Sequence, residues 1–90
     1  MFHLYILRSL FTGRYYIGHT ENLERRLKEH NDGRCRSTKA YKPWKLVYME
    51  EYASKSEAFR REREVKNYKS GIKFKELQKS ERWQSPRIAG

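Results

Sequence analysis

The 90-residue chain has a single cysteine, Cys35, and a single aspartate, Asp32. A lone thiol makes no internal disulfide and suits a reducing compartment. Flanked by Arg34 and Arg36, Cys35 is read as a bystander thiol rather than a reactive one. Together with three scattered histidines it offers no zinc-binding spacing. A Ser-His-Asp set would have to rest on Asp32, beside a helix end, and is discounted. The sequence contains neither a G-x-x-x-x-G-K-S/T phosphate loop nor a G-x-G-x-x-G loop. No apolar run reaches the roughly 18 residues that would span a bilayer. The start, MFHLYILRSL, is apolar but lacks the basic region and small-residue cleavage site of a signal peptide. The expected location is therefore the cytoplasm, with no membrane partner.

What the chain has in excess is positive charge. Lysine and arginine number 21 against 11 acids, a formal net charge of +10. A polyanion, nucleic acid above all, is the first partner such a balance suggests. The length allows one domain with one modest core. That domain is expected over residues 1–80, with 81–90 as a flexible tail.

Phe2 to Leu7 is rich in aromatic and β-branched residues and predicts a strand. Thr12-Gly13 supplies a turn, and Arg14 to Ile17 a returning strand that Gly18 would end. Thr20-Glu21-Asn22 provides cap-formers for a helix over Leu23–His30, closed by Asn31-Asp32-Gly33. On that helix Leu23 and Leu27 would face the sheet, with Arg26 and His30 as a neighbouring i,i+4 row. Arg34 to Lys42 is basic, and Trp44–Tyr52 predicts a third strand. Ser54-x-x-Glu57 is a capping box opening a helix over about residues 55–69. Its expected inward stripe holds Ala58, Phe59, Val65 and Lys66. Ile72 to Lys79 adds a short helix with Phe74 and Leu77 inward. The order β-β-α-β-α-α predicts an α+β fold: a small three-stranded antiparallel sheet flanked by helices, with the strand order open.

Three features invite chemistry. Tyr5 and Tyr16 sit on the two strands of one hairpin and would bring two phenols together across the ladder; the alternative is that both are ordinary strand aromatics. Arg26 is suited to grip a phosphate through two parallel hydrogen bonds, and His30 shares its helix row; the alternative is a solvated helix face. Glu62 falls between Ala58 and Val65 on the apolar stripe. A carboxylate there needs a partner, which would be a metal or a neighbouring arginine. One carboxylate with water and phosphate oxygens would suit Mg²⁺.

Taken together, Tyr5, then Tyr16-Ile17-Gly18, Arg26, His30 and Glu62 resemble the motifs of the GIY-YIG nucleases. The first element reads His3-Leu4-Tyr5, keeping the family's tyrosine in place of its full Gly-Ile-Tyr; the second is intact. His30-Asn31-Asp32-Gly33 and Pro43-Trp44 are similar to stretches of the small stand-alone bacterial members. They are also similar to the catalytic subunit of a nuclease that cuts branched DNA and, more distantly, to the N-terminal nuclease domain of the bacterial repair excinuclease. The resemblance covers about residues 2–75. It implies a metal-dependent DNA endonuclease, acting on branched or damaged DNA in repair or recombination. Glu62 would hold one divalent ion, Mg²⁺ with Mn²⁺ as a substitute, and one of Tyr5 and Tyr16 would activate water. Arg26 would neutralise charge in the transition state, and His30 would relay a proton or orient a tyrosine. Nucleic-acid contacts are expected from His19, Arg25, Arg34, Arg36, Lys39, Lys42 and Arg61, with Arg60, Arg63, Lys66 and Lys69 on the same helix as Arg61. The alternatives are a binding module with little catalysis, or a subunit active only with a partner in a larger repair complex. Trp44, Trp83 and the C-terminal segment would then form the docking face.

Overall fold

The structure, a computed structural model, describes residues 1–68 and 71–84. Its elements follow as β1 (Phe2–Ser9), β2 (Tyr15–Thr20), α1 (Leu23–Asn31), β3 (Trp44–Tyr52), α2 (Lys55–Tyr68) and α3 (Ile72–Gln78), with a short 3-10 turn at Lys39–Tyr41. The sheet is three-stranded and antiparallel in the order β2-β1-β3, so the expected α+β architecture is the observed one. Gly13, at φ +78, closes the first hairpin, a conformation that costs a side-chain-bearing residue dearly. Asn22 caps α1 by accepting from the Arg25 amide at 3.1 Å, and Gly33, also at φ +78, follows its C-terminal end. The Ser54 hydroxyl accepts from the Glu57 amide at the start of α2, half of the expected capping box.

The alternation of β1 divides the core between the two faces of the sheet. Leu4 and Ile6 join Ile17, Val47, Val65 and Phe74 under α2 and α3. Tyr5 and Leu7 join Trp44, Tyr16, Leu23 and Leu27 under α1. β1 is the central strand with neighbours on both edges and a covered face on each side, which is why it is the most continuously buried stretch of the chain.

The third strand changes phase midway. Ile6 pairs with Tyr48 and Leu7 with Leu46, so Val47 is an extra residue in the ladder. Trp44 and Leu46 therefore face α1, whereas Tyr48, Glu50 and Tyr52, also even-numbered, face α2. The Val47 carbonyl, displaced by the bulge, accepts from the Gln84 amide.

Several expectations are corrected. Gly18 does not end β2, which continues to Thr20, because the glycine is needed inside the strand. Phe59 and Lys66 lie off the buried stripe of α2, which consists of Ala58, Glu62 and Val65 at i, i+4 and i+7; the Phe59 ring is exposed beside His19, and Lys66 is exposed as well. Trp44 is buried and its indole N–H is engaged by the Thr38 carbonyl at 2.9 Å, so it offers no docking face. Trp83 packs against Tyr15, Tyr48 and Phe74 and belongs to the core. It lies in the stretch expected as a tail, of which residues 85–90 fall outside the described residues, as do Lys69 and Ser70.

Candidate active site

On the α1 face, four of the five expected catalytic side chains come together. Tyr5 is only 1% exposed and its hydroxyl lies 3.0 Å from His30 Nε2. The other ring nitrogen, Nδ1, lies 2.8 Å from the Thr38 hydroxyl, whose own proton is directed to the Cys35 carbonyl at 3.3 Å. The Thr38 oxygen is thus the acceptor, Nδ1 carries the imidazole proton, and Nε2 accepts from the Tyr5 O–H. The Tyr16 ring stacks obliquely on His30, with centroids 4.8 Å apart, and lies 6.2 Å from the Tyr5 ring.

The protonation states follow from the surroundings. Burial and the neighbouring Arg26 charge lower His30 from its ordinary 6.5 to about 4, so the ring is neutral at physiological pH. Burial pushes the Tyr5 phenol up, and the Arg26 guanidinium beside it offsets only part of that rise. Burial disfavours the Arg26 charge, but the neighbouring Tyr5 phenol and Glu29, 3.1 Å away, outweigh it and hold the guanidinium protonated. Tyr5 is a buried, protonated donor to His30, and Tyr16 is the half-exposed phenol of the pair.

The two tyrosines do not face each other directly across the ladder, as their positions on paired strands suggested. Tyr5 is opposite Gly18 and Tyr16 opposite Leu7, so the phenols are diagonal neighbours on one face. A Cβ on Gly18 would lie 2.8 Å from the Tyr5 hydroxyl oxygen and 2.9 Å from the carbon bearing it. Only glycine leaves room for that ring.

Glu62 lies on the opposite face of the sheet. His19 and Ile17 point to α2, and His19 Nδ1 lies 2.7 Å from Glu62 Oε1. Lys66, one turn later on α2, donates to Oε2 at 2.9 Å. Among the described residues no hydrogen bond or ion pair joins Glu62 to Tyr5, Tyr16, Arg26 or His30. The two constellations lie on either side of edge strand β2, whose Tyr16 and His19 project to opposite faces.

The chemistry of the donors limits what metal this side fits. Among the described residues no three His, Cys, Asp or Glu side chains gather to enclose an ion. Glu62 offers hard carboxylate oxygens, each with a lone pair beyond the one its present partner uses. A single carboxylate completed by water and phosphate oxygens fits Mg²⁺, which retains most of its waters.

Of the expected nucleic-acid contacts, Arg25, Arg34, Arg36, Lys39 and Lys42 are exposed, on or just after α1. The last four lie on the segment whose Thr38 touches His30. His19 is instead bound to Glu62. Arg61 is also differently employed: Nε and Nη2 grip the two oxygens of Glu50 at 2.9 and 3.1 Å, and Nη1 pairs with Glu64. Tyr52 donates to Glu50 at 2.6 Å, and Tyr48 donates to it as well. A carboxylate buried on the α2 face requires this cation, so Arg61 ties α2 to β3 rather than facing solvent.

Thr38 was not singled out by sequence reasoning, since one threonine in a basic loop has no periodicity to betray it. Asn31 was expected only to help close α1; its side chain also accepts from the Trp44 amide and donates to the Trp44 carbonyl, joining α1 to β3.

The model of the GIY-YIG catalytic domain matches residues 1–76. The chain belongs to the GIY-YIG family. Nucleases of this family generally depend on a divalent metal. Similar relatives include a UPF0213 protein of Staphylococcus haemolyticus, 44% identical over 64 residues, covering 70% of this chain and 78% of the relative. A UPF0213 protein of Staphylococcus epidermidis is 40% identical over 67 residues, covering 73% and 82%. The solution structure of a UPF0213 protein from Bacillus halodurans is 36% identical, covers 84% of this chain and 80% of its own, and has a TM-score of 0.49. Among the described residues of this GIY-YIG chain, no helix is long and apolar enough to cross a membrane.

Proposed function

We propose that the chain is a metal-dependent DNA endonuclease that hydrolyses phosphodiester bonds across the edge of β2. The observation that carries this reading is the Tyr5–His30–Thr38 network with Tyr16 and Arg26 on one side of that strand, and a buried, hydrogen-bonded Glu62 on the other. A phosphodiester lying over the strand near Gly18 would have the phenols and guanidinium on one flank and the carboxylate on the other.

The division of labour follows from exposure. Tyr16, the accessible phenol, would orient and activate the attacking water. Tyr5, with its O–H committed to neutral His30, holds that ring and fixes the neighbouring Arg26. Arg26 neutralises charge that develops on the phosphoryl oxygens, a contribution of the kind worth about 100- to 1000-fold in rate. Glu62 would hold the ion, with His19 orienting the carboxylate; a bound divalent ion supplies positive charge beside the phosphate and the leaving oxygen. Mg²⁺ is the expected ion, with Mn²⁺ as a substitute. Arg25, Arg34, Arg36, Lys39 and Lys42 would hold the DNA backbone, a binding mode that reads charge rather than sequence. Branched or damaged DNA, met in repair or recombination, is the proposed substrate.

A panel of supercoiled, linear, single-stranded, flapped and four-way DNAs, each with Mg²⁺ or Mn²⁺, tests this reading. Wild type should cut at least one of them and Glu62→Ala should bind but not cut. Binding without cleavage of every DNA would favour the second reading, a binding module or partner-dependent subunit, which the +10 charge also supports.

A further inference from the structure

A cavity of about 660 Å³ opens beside Tyr16, between the segment preceding β3 and helix α3. Its lining is aromatic: the half-buried Tyr15, Tyr16 and Tyr41 present ring surface to it, while Trp44 and Phe74, also in the lining, are almost wholly buried. Among the described residues, the charged side chains lining it are Arg14 and Lys75, both cationic and exposed. Arg14 places its guanidinium 4.6 Å from the centre of the Tyr41 ring and also donates to the Tyr41 hydroxyl at 3.3 Å. That pairing holds a flat cation and a flat phenol together in the cavity lining. Ser37, Thr38 and Gln78 add polar groups to an otherwise apolar surface.

We infer that this cavity takes one unstacked nucleotide of a single-stranded DNA segment, its base against the aromatic wall and its phosphate toward Arg14 and Lys75. The volume falls within the range of ligand-binding cavities, roughly 300–1000 Å³. Aromatic walls accept any base because every base has a flat face, and a guanidinium stacked on a ring extends the platform. The absence of any acid among the described lining residues leaves nothing there to repel a phosphate. The wall includes Tyr16 and Thr38, so an occupied cavity lies next to the phenol and histidine network described above. For cleavage, this inference rests on the nuclease reading: a strand anchored here would present its neighbouring phosphodiester to Tyr16, and DNA with an unpaired segment would be preferred over plain duplex. The binding itself requires no catalysis.

The test uses the whole chain, without divalent metal, and a short single-stranded DNA bearing one 2-aminopurine whose fluorescence falls on stacking. Wild type should quench the probe, and an abasic residue at that position should weaken binding about tenfold. Tyr41→Ala should lose the quench and bind intact and abasic strands equally, whereas Tyr41→Phe, which keeps the ring, should retain the quench. Because Tyr41 is half-buried, Gln78→Trp, an exposed position that would fill the cavity, provides a second block and should also abolish the quench. Unchanged fluorescence on binding, or equal affinity of wild type for intact and abasic strands, would overturn the inference. Full displacement of the strand by free deoxyadenosine monophosphate at equal nucleotide concentration would also overturn it, assigning the cavity to free nucleotides. Quenching without metal-dependent cleavage would sustain the cavity while removing the nuclease reading. Glu62-dependent cleavage with no quench would do the reverse.

Discussion

Tyr5 stands directly across the ladder from Gly18, and its phenol fills the space a side chain there would occupy. The glycine of the Tyr16-Ile17-Gly18 motif is thus a packing requirement of the first tyrosine, not a turn residue. Gly18→Ala should push the Tyr5 hydroxyl off His30, since the buried ring has little room to retreat and backbone lies behind the new methyl. Overpacking of this kind costs about 1–3 kcal/mol. Urea unfolding should show that loss, and cleavage should fall with it; wild-type stability in Gly18→Ala would mean that the ring has another place to go.

His30 is buried with its ring neutral, and this has a consequence for pH dependence. In the unfolded chain it titrates near 6.5, in the folded chain near 4. Between those values the unfolded chain binds the extra proton, so stability is complete above about pH 6.5 and declines as pH falls toward 4. His30→Gln should lower stability at neutral pH but flatten the decline across that window. Chemical denaturation at several pH values measures both; an equally steep decline in the variant would show that other groups govern it.

Arg61 and Glu50 illustrate how a sequence can mislead about a cation. Truncating Arg61 to alanine would leave the Glu50 carboxylate buried with only tyrosine donors, at a cost of about 3 kcal/mol, the low end for broken buried pairs because Arg61 remains partly exposed. Burial raises Glu50, but the Arg61 and tyrosine hydrogen bonds outweigh it and hold the carboxyl below its ordinary 4.5. That contribution is present above pH 4.5 and disappears as pH falls further. Arg61→Ala should therefore unfold at lower urea without changing the salt dependence of DNA binding. A stable Arg61→Ala with weakened DNA binding would restore Arg61 to the DNA-binding set.

The exposed cations after α1 make the opposite prediction. Replacing Arg34, Arg36 or Lys39 by alanine should leave stability within about 0.5 kcal/mol. Each should reduce the slope of log affinity against log salt by about one, as the loss of a phosphate contact does. Fluorescence anisotropy at several salt concentrations reads the slope; no change in all three would remove this segment from the interface.

Much of the fold was legible because the apolar pattern of each element is short and clear: β1, the Leu23/Leu27 pair, Ala58 and Val65 occupy their expected faces, whereas Phe59 and Lys66 do not. Glu62 stood out because a carboxylate interrupts the apolar stripe of α2. What sequence could not show was the strand order, which depends on pairing at long range, or the Val47 bulge, which reverses the inside-outside phase of β3 halfway along. Positive charge alone did not distinguish Arg61, bound to a carboxylate from another element, from the exposed Arg34. The role of Thr38 depends on the path of a loop that brings it to His30, a path no local pattern encodes.

On the proposed mechanism, Tyr16 and Glu62, on opposite faces of β2, act on the same phosphodiester. Single-turnover cleavage of one DNA from the panel by wild type, Tyr16→Phe, Glu62→Gln and the double variant tests it most directly. Groups acting as a unit are strongly non-additive, so each single variant should lose about 100-fold or more and the double should be no slower than the worse single. Wild-type cleavage by Tyr16→Phe, or losses that multiply in the double variant, would contradict it.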